Sequence, residues 1–124
     1  MTAIRRFEEI KAWQTARQLS QLVYKLSGQG AFARDFGLRD QMQRAAVSIM
    51  SNIAEGFESQ SRMLFISFLY RARGSAAELR AQAYVALDSR HIDGADFDRI
   101  QQLSHKCGQQ LYRFIEYLRH CPDR

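Results

Sequence analysis

At 124 residues the chain fits a single domain with one core, and 46% hydrophobic with 25% charged residues is a globular rather than a disordered composition. No run approaches the ~20 apolar residues of a membrane span, and Met1 to Glu9 lacks the apolar centre of a secretory leader, so a cytoplasmic protein with no membrane partner is expected. The charge is +5 with a pI near 9.6, and arginine outnumbers lysine 15 to 3; planar guanidinium groups suit phosphate or carboxylate, which points to a nucleic acid or an acidic protein partner.

Pro122 is the one proline, so nothing interrupts a helix before the last three residues. Four segments carry the 3.6-residue hydrophobic period, and no run alternates with period two. The first helix is predicted over 7–27. Ala12, Ala16, Leu19, Val23 and Leu26 share its inner face with Trp13 and Leu22 at the flanks, while Gln14, Arg17, Gln18, Gln21 and Lys25 fall opposite. Gly28 and Gly30 then break it. Phe32 and Phe36 lie in the connection and are expected to cover one bundle end, with Asp35 a candidate cap.

The second helix is predicted over 38–55, with Leu38, Met42, Ala45, Ile49 and Ile53 inward and small residues widening the apolar arc. Asp40, Arg44, Ser48, Ser51 and Glu55 form a polar strip, expected to be hydrogen-bonded lining between helices or subunits. Asp40 and Arg44 are spaced to pair, at ~0.3–0.5 kcal/mol if exposed. Gly56 is expected to end this helix. The third helix, 62–89, places Phe65, Phe68, Leu69, Ala72, Ala76, Leu79, Ala83, Ala86 and Leu87 inward. Gly74 lies inside it at ~1 kcal/mol relative to alanine, which suggests a close helix contact there. Asp96 is the expected cap of the fourth helix, 97–119, whose seam is Ile100, Leu103, Cys107, Leu111, Phe114 and Leu118. Four helices of ~30 Å with short connections predict an all-α, antiparallel up-down-up-down four-helix bundle over 1–124, frayed at 1–6 and 121–124.

Catalytic patterns are missing from the sequence. There is no Glu-x-x-His pair of the di-iron bundles, and Asp88 with His91 has that spacing only at a helix end. Cys107 and Cys121 lie about four turns apart on one helix and cannot bridge each other. No serine or cysteine has a histidine beside it by helical spacing, and no glycine-rich phosphate loop occurs. A protein without catalytic residues, metal or cofactor is expected. Binding is better supported. Arg99, Lys106 and Arg113 recur every seven residues away from the seam; they read either as a phosphate-contacting stripe or as a solvated face diluted by Asp98 and Glu116. Arg62, Arg73 and Arg80 fall within about 20° of one another on the third helix, near Ile66 and Tyr84. That mixture suits an oligomer interface as much as a nucleic-acid surface.

The motifs Phe7-Glu-Glu-Ile-Lys-Ala-Trp13-Gln-Thr-Ala, Phe36-Gly-Leu-Arg-Asp-Gln41, Arg44-Ala-Ala-Val-Ser-Ile, Asn52-Ile-Ala-Glu-Gly56, Phe65-Ile-Ser-Phe-Leu and Ala72-Arg-Gly-Ser-Ala-Ala-Glu-Leu79 stand in this order. In content and spacing the chain resembles the four-helix-bundle family encoded by intervening sequences within bacterial 23S ribosomal RNA genes. It is also similar to the accessory variability protein of diversity-generating retroelements. Family members often carry a proline where this chain has Met50, and another in the first connection. The resemblance implies a ring-like homopentamer with a basic surface and no established catalysis. It implies RNA or DNA as the suspected ligand and, in the retroelement relatives, a reverse transcriptase as partner.

Overall fold

The computed structural model describes residues 3–121, whose regular elements are all helices, with no strand among them. A 3-10 turn at Phe7–Glu9 leads into five α-helices: α1 Lys11–Ser27, α2 Gly30–Arg34, α3 Phe36–Glu58, α4 Arg62–Asp88 and α5 Gly94–His120. Residues 1, 2 and 122–124 of the segments expected to fray lie outside the described residues. Within them, the Arg5 N–H donates to Glu9 Oε1 at 3.2 Å, and the Cys121 carbonyl accepts from Arg62 Nη1.

Local chemistry moves several helix ends away from the sequence expectation. Ile10 is extended (φ −72°, ψ 122°) and separates the 3-10 turn from α1, because its side chain turns inward and is 3% exposed. The first connection contains an additional short helix, α2, entered through Gly30 at φ +55° and burying Phe32. Asp35 caps α3 by accepting from the Leu38 N–H at 3.3 Å, so α3 starts at Phe36 and takes in Gly37. Asp93, not Asp96, caps α5, accepting from the Asp96 N–H at 2.8 Å; that starts the helix three residues early. Ser61 caps α4 by accepting from the Leu64 N–H. Asp40 pairs with its neighbour Arg39 at 3.0 Å rather than with Arg44.

Among the long helices, α1 packs against α3 and α5, and α4 packs against the same two. Contacts along the α3–α4 seam pair falling numbers with rising ones: Gly56 meets Phe65 and Phe68, and Ser48 meets Ser75. Gln101 donates to the Arg80 carbonyl between α4 and α5, and Cys107 Sγ to the Ala12 carbonyl between α1 and α5. The core holds the predicted inner faces of α1 and α4 almost entire. On α5 the buried row is Ile100, Ser104, Cys107, Leu111, Ile115 and Leu118, and Leu103 and Phe114 stand half-buried beside it.

Neither mid-chain glycine has the role expected of it. Gly56 does not end a helix; it lies buried inside α3, where an added Cβ would fall 2.8 Å from Phe68 Cβ and 2.9 Å from Phe65 Cδ1. Gly74 makes no close helix contact, since a Cβ there meets nothing within 4 Å. At the opposite end, His91 Nε2 bonds Asp35 Oδ2 at 2.9 Å and its ring stacks on Phe32 with centroids 5.0 Å apart. This latch ties the α4–α5 turn to the α2–α3 junction.

Gly56→Ala should destabilise the fold by about 1–3 kcal/mol through overpacking, whereas Gly74→Ala should be neutral or gain up to about 1 kcal/mol of helix propensity; urea titration of both variants measures this. The hydrogen bond from His91, then that from the Leu38 N–H, holds Asp35 below its ordinary value of 3.8. Its contribution is therefore complete above that value and lost as the pH falls through the lower folded-state value. Melting curves of Asp35→Asn should lie below the parent at neutral pH and converge on it in acid.

Candidate nucleic-acid interface

The basic residues of α5 divide between two grooves. Arg99 and Lys106 line a groove of about 490 Å³ between α1 and α5, with Lys25 on the facing wall. Gln18, Gln21 and Gln102 supply amide donors around them, over Leu22 and Leu103, and the lining holds no carboxylate. Lys25 belongs to the outward face read for α1, but its meeting with Arg99 depends on which helix α1 packs against. Arg113 departs from the stripe. A seven-residue step falls about 20° short of two helical turns, so Arg113 is rotated toward α4 and lines a second groove there, along with a recess beside Ile10 and Phe114.

That second groove, about 700 Å³ between α4 and α5, also gathers Arg73 and Arg80. The Arg73 guanidinium sits 5.4 Å from the Tyr112 ring centre, and that of Arg119 5.5 Å from the Tyr70 ring. Tyr70, Tyr112 and His105 were not singled out in the sequence. The available signal was an exposed tyrosine one helical turn from a glycine on each helix, Tyr70 with Gly74 and Tyr112 with Gly108. Arg62 and Tyr84 stand apart from this groove. About 27 Å of helix separates Arg62 from Arg80, and Arg62 bonds the Cys121 carbonyl at the far end. Tyr84 packs edge-on against Phe97, with centroids 4.8 Å apart.

The polar strip of α3 is split by depth. Ser48 lies between helices, its Oγ 2.9 Å from Ser75 Oγ, and Asn52 Nδ2 donates to the Ser48 carbonyl at 2.8 Å. Asp40, Arg44, Ser51 and Glu55 are exposed and line an open recess beside Tyr24. Cys107 is fully buried, and burial pushes its thiol up to about 12, which keeps it protonated and un-nucleophilic at neutral pH. Among the described residues no three histidine, cysteine, aspartate or glutamate side chains are grouped to hold a metal ion. His91 is engaged with Asp35, and His120 lies 3.7 Å from Glu116 as an exposed pair.

The fold and surface define a class: an all-helical protein with an apolar interior and basic grooves on its outside. The chain belongs to the 23S rRNA-intervening sequence protein family, whose model matches residues 8–113. Among solved structures it is similar to a protein of unknown function from the S23 ribosomal protein family of Bacteroides thetaiotaomicron. The TM-score is 0.77 at 22% identity, over 85% of this chain and 95% of that one. No curated protein matches it.

Alkylation of the native protein at mild alkaline pH should modify Cys121, which is half-buried at the end of α5, and spare Cys107 until the fold is opened with denaturant. Mass spectrometry of the two tryptic peptides reads this directly.

Proposed function

We propose that this chain is a subunit of a homo-oligomeric four-helix bundle that binds RNA or DNA through its outer basic surface and catalyses no reaction. The falling-against-rising contacts of α3 with α4, and the pairings of α5 with α4 and α1, support an antiparallel up-down-up-down course for the four long helices. The observation that carries the binding reading is the α1–α5 groove, where Lys25, Arg99 and Lys106 converge among three glutamines with no carboxylate. Cations held in this way displace the counterions of a phosphate backbone, and the amides add hydrogen bonds without regard to sequence. Self-association is supported by apolar side chains left in water: Met63 is 82%, Leu64 52% and Val85 51% exposed. A ring of five is the form implied by the family resemblance. No described helix is long and apolar enough to cross a membrane, and we place the protein in the cytoplasm.

A second reading is a scaffold that docks an acidic protein such as a reverse transcriptase. It is favoured by Met63 and Leu64 standing exposed beside Arg62 at the start of α4, an apolar patch next to a cation.

Lys25→Glu, Arg99→Glu and Lys106→Glu combined should weaken RNA binding and lower the log–log salt slope by about two to three, at ~0.7–0.9 per phosphate contact. Fluorescence anisotropy across a salt series measures both. Binding indifferent to salt and to the triple substitution would overturn the reading, and retention of an acidic protein without nucleic acid would favour the scaffold. A light-scattering mass at the 14.4 kDa of one chain would overturn self-association.

A further inference from the structure

The α4–α5 groove contains features that the fold itself does not require. Gly74 and Gly108 both lie within long helices, where glycine is the costliest residue short of proline. A Cβ at either position meets nothing within 4 Å, so internal packing gives no reason for a glycine at either. Both line the same groove. Ser104, 1% exposed, also lines this groove, and its buried Oγ has no hydrogen-bond partner among the described residues. A donor left unsatisfied in a groove cleared of side chains suits a polar ligand seated there.

The walls specify which ligand. Tyr70 and Tyr112, on opposite helices, are 41% and 51% exposed; Arg119 donates to the Tyr70 hydroxyl at its ring edge, and Arg73 lies 5.4 Å from the Tyr112 ring centre. Arg73, Arg80 and Arg113 place positive charge along the same groove. Exposed rings along a cationic groove are how single strands are bound: bases stack on the rings and phosphates follow the cations. A duplex hides its base faces and gains nothing from the tyrosines. An amphipathic helix needs large apolar pockets at helical spacing, and this groove offers glycine and alanine instead. A second copy of this net-positive chain would bring like charge against three arginines.

We propose that the α4–α5 groove is a single-strand site, with unpaired bases on Tyr70 and Tyr112 and the backbone phosphates on Arg73, Arg80 and Arg113. It rests on the nucleic-acid reading above and adds to it a preference for unpaired over paired strands, served by a groove separate from that of Lys25, Arg99 and Lys106.

The test compares a labelled unstructured RNA strand with the duplex it forms with its complement, using the full chain. The parent should bind the strand more tightly than the duplex. Tyr112→Leu should weaken strand binding about tenfold, the effect of losing one stacked base, and leave duplex binding in place. Gly74→Ala with Gly108→Ala should melt no lower than the parent, keep its light-scattering mass, and still lose strand binding, because the new methyl groups fill the groove. Equal loss of strand and duplex in these variants, or no loss of strand binding, overturns the site while the α1–α5 reading stands. A changed mass overturns it by making the groove a contact between copies. Displacement of the strand by polyglutamate at equal charge overturns it in favour of an acidic protein. A parent that binds neither strand nor duplex removes the nucleic-acid reading and this site with it.

Discussion

The close approach of α3 to α4 at Gly56 governs how the remaining helices are placed. With no side chain at Gly56, Phe65 and Phe68 lie directly against the α3 backbone. Phe65 then meets Phe57 edge-on at 6.0 Å and Phe114 at 5.3 Å, so one ring joins α3, α4 and α5 at the same end. Ala72, Ala76, Ala83 and Ala86 continue the short spacing along α4, each at most 2% exposed. The Ser48–Ser75 hydrogen bond at 2.9 Å spans two short side chains and is possible only because the helices stay this close. Burial among these side chains pushes the Cys107 thiol up to about 12, so the interior disfavours charge.

Charge is therefore confined to the outside, and there it is organised by rings as much as by carboxylates. Arg17 lies over Trp13, Arg39 over Phe36, Arg71 over Phe68, Arg73 over Tyr112 and Arg119 over Tyr70, at 4.8 to 6.0 Å from the ring centres. An aromatic face orients a guanidinium without neutralising it, but Arg119 and Arg39 are also paired with Glu116 and Asp40, contacts that cancel charge and add little stability. The two grooves of α5 follow from that arrangement, one lined by flexible amides and cations, the other by tyrosines and arginines.

The inner faces of α1 and α4 were legible because a long helix repeats its hydrophobic period many times, and the period alone selects the buried side. Helix ends were less legible. Asp93 and Asp96 are both competent caps, and the choice of Asp93 depends on where the α4–α5 turn sits against the latch of His91 on Asp35. The glycines misled in a consistent way: glycine after a helical run reads as a stop and glycine inside one reads as a contact, yet Gly56 makes the contact and Gly74 faces an open groove. Phe65 and Phe68 explain the first, and they arrive from another helix. The seven-residue recurrence of Arg99, Lys106 and Arg113 is a property of one helix, whereas their division between two grooves depends on the neighbouring helices.

By itself the sequence determined the helical class, the four long amphipathic segments, the basic arginine-rich surface and the family to which the chain belongs, because these depend on period, composition and short motifs that local chemistry enforces. The tertiary structure alone decided which cations share a groove, which glycine is packed and which is open, and which polar groups are left without partners. Those properties belong to pairs of helices. Lys25 beside Arg99, Gly74 across from Gly108 and His91 on Asp35 are far apart in the chain, and only packing that fixes the rotation and height of one helix against another brings them together.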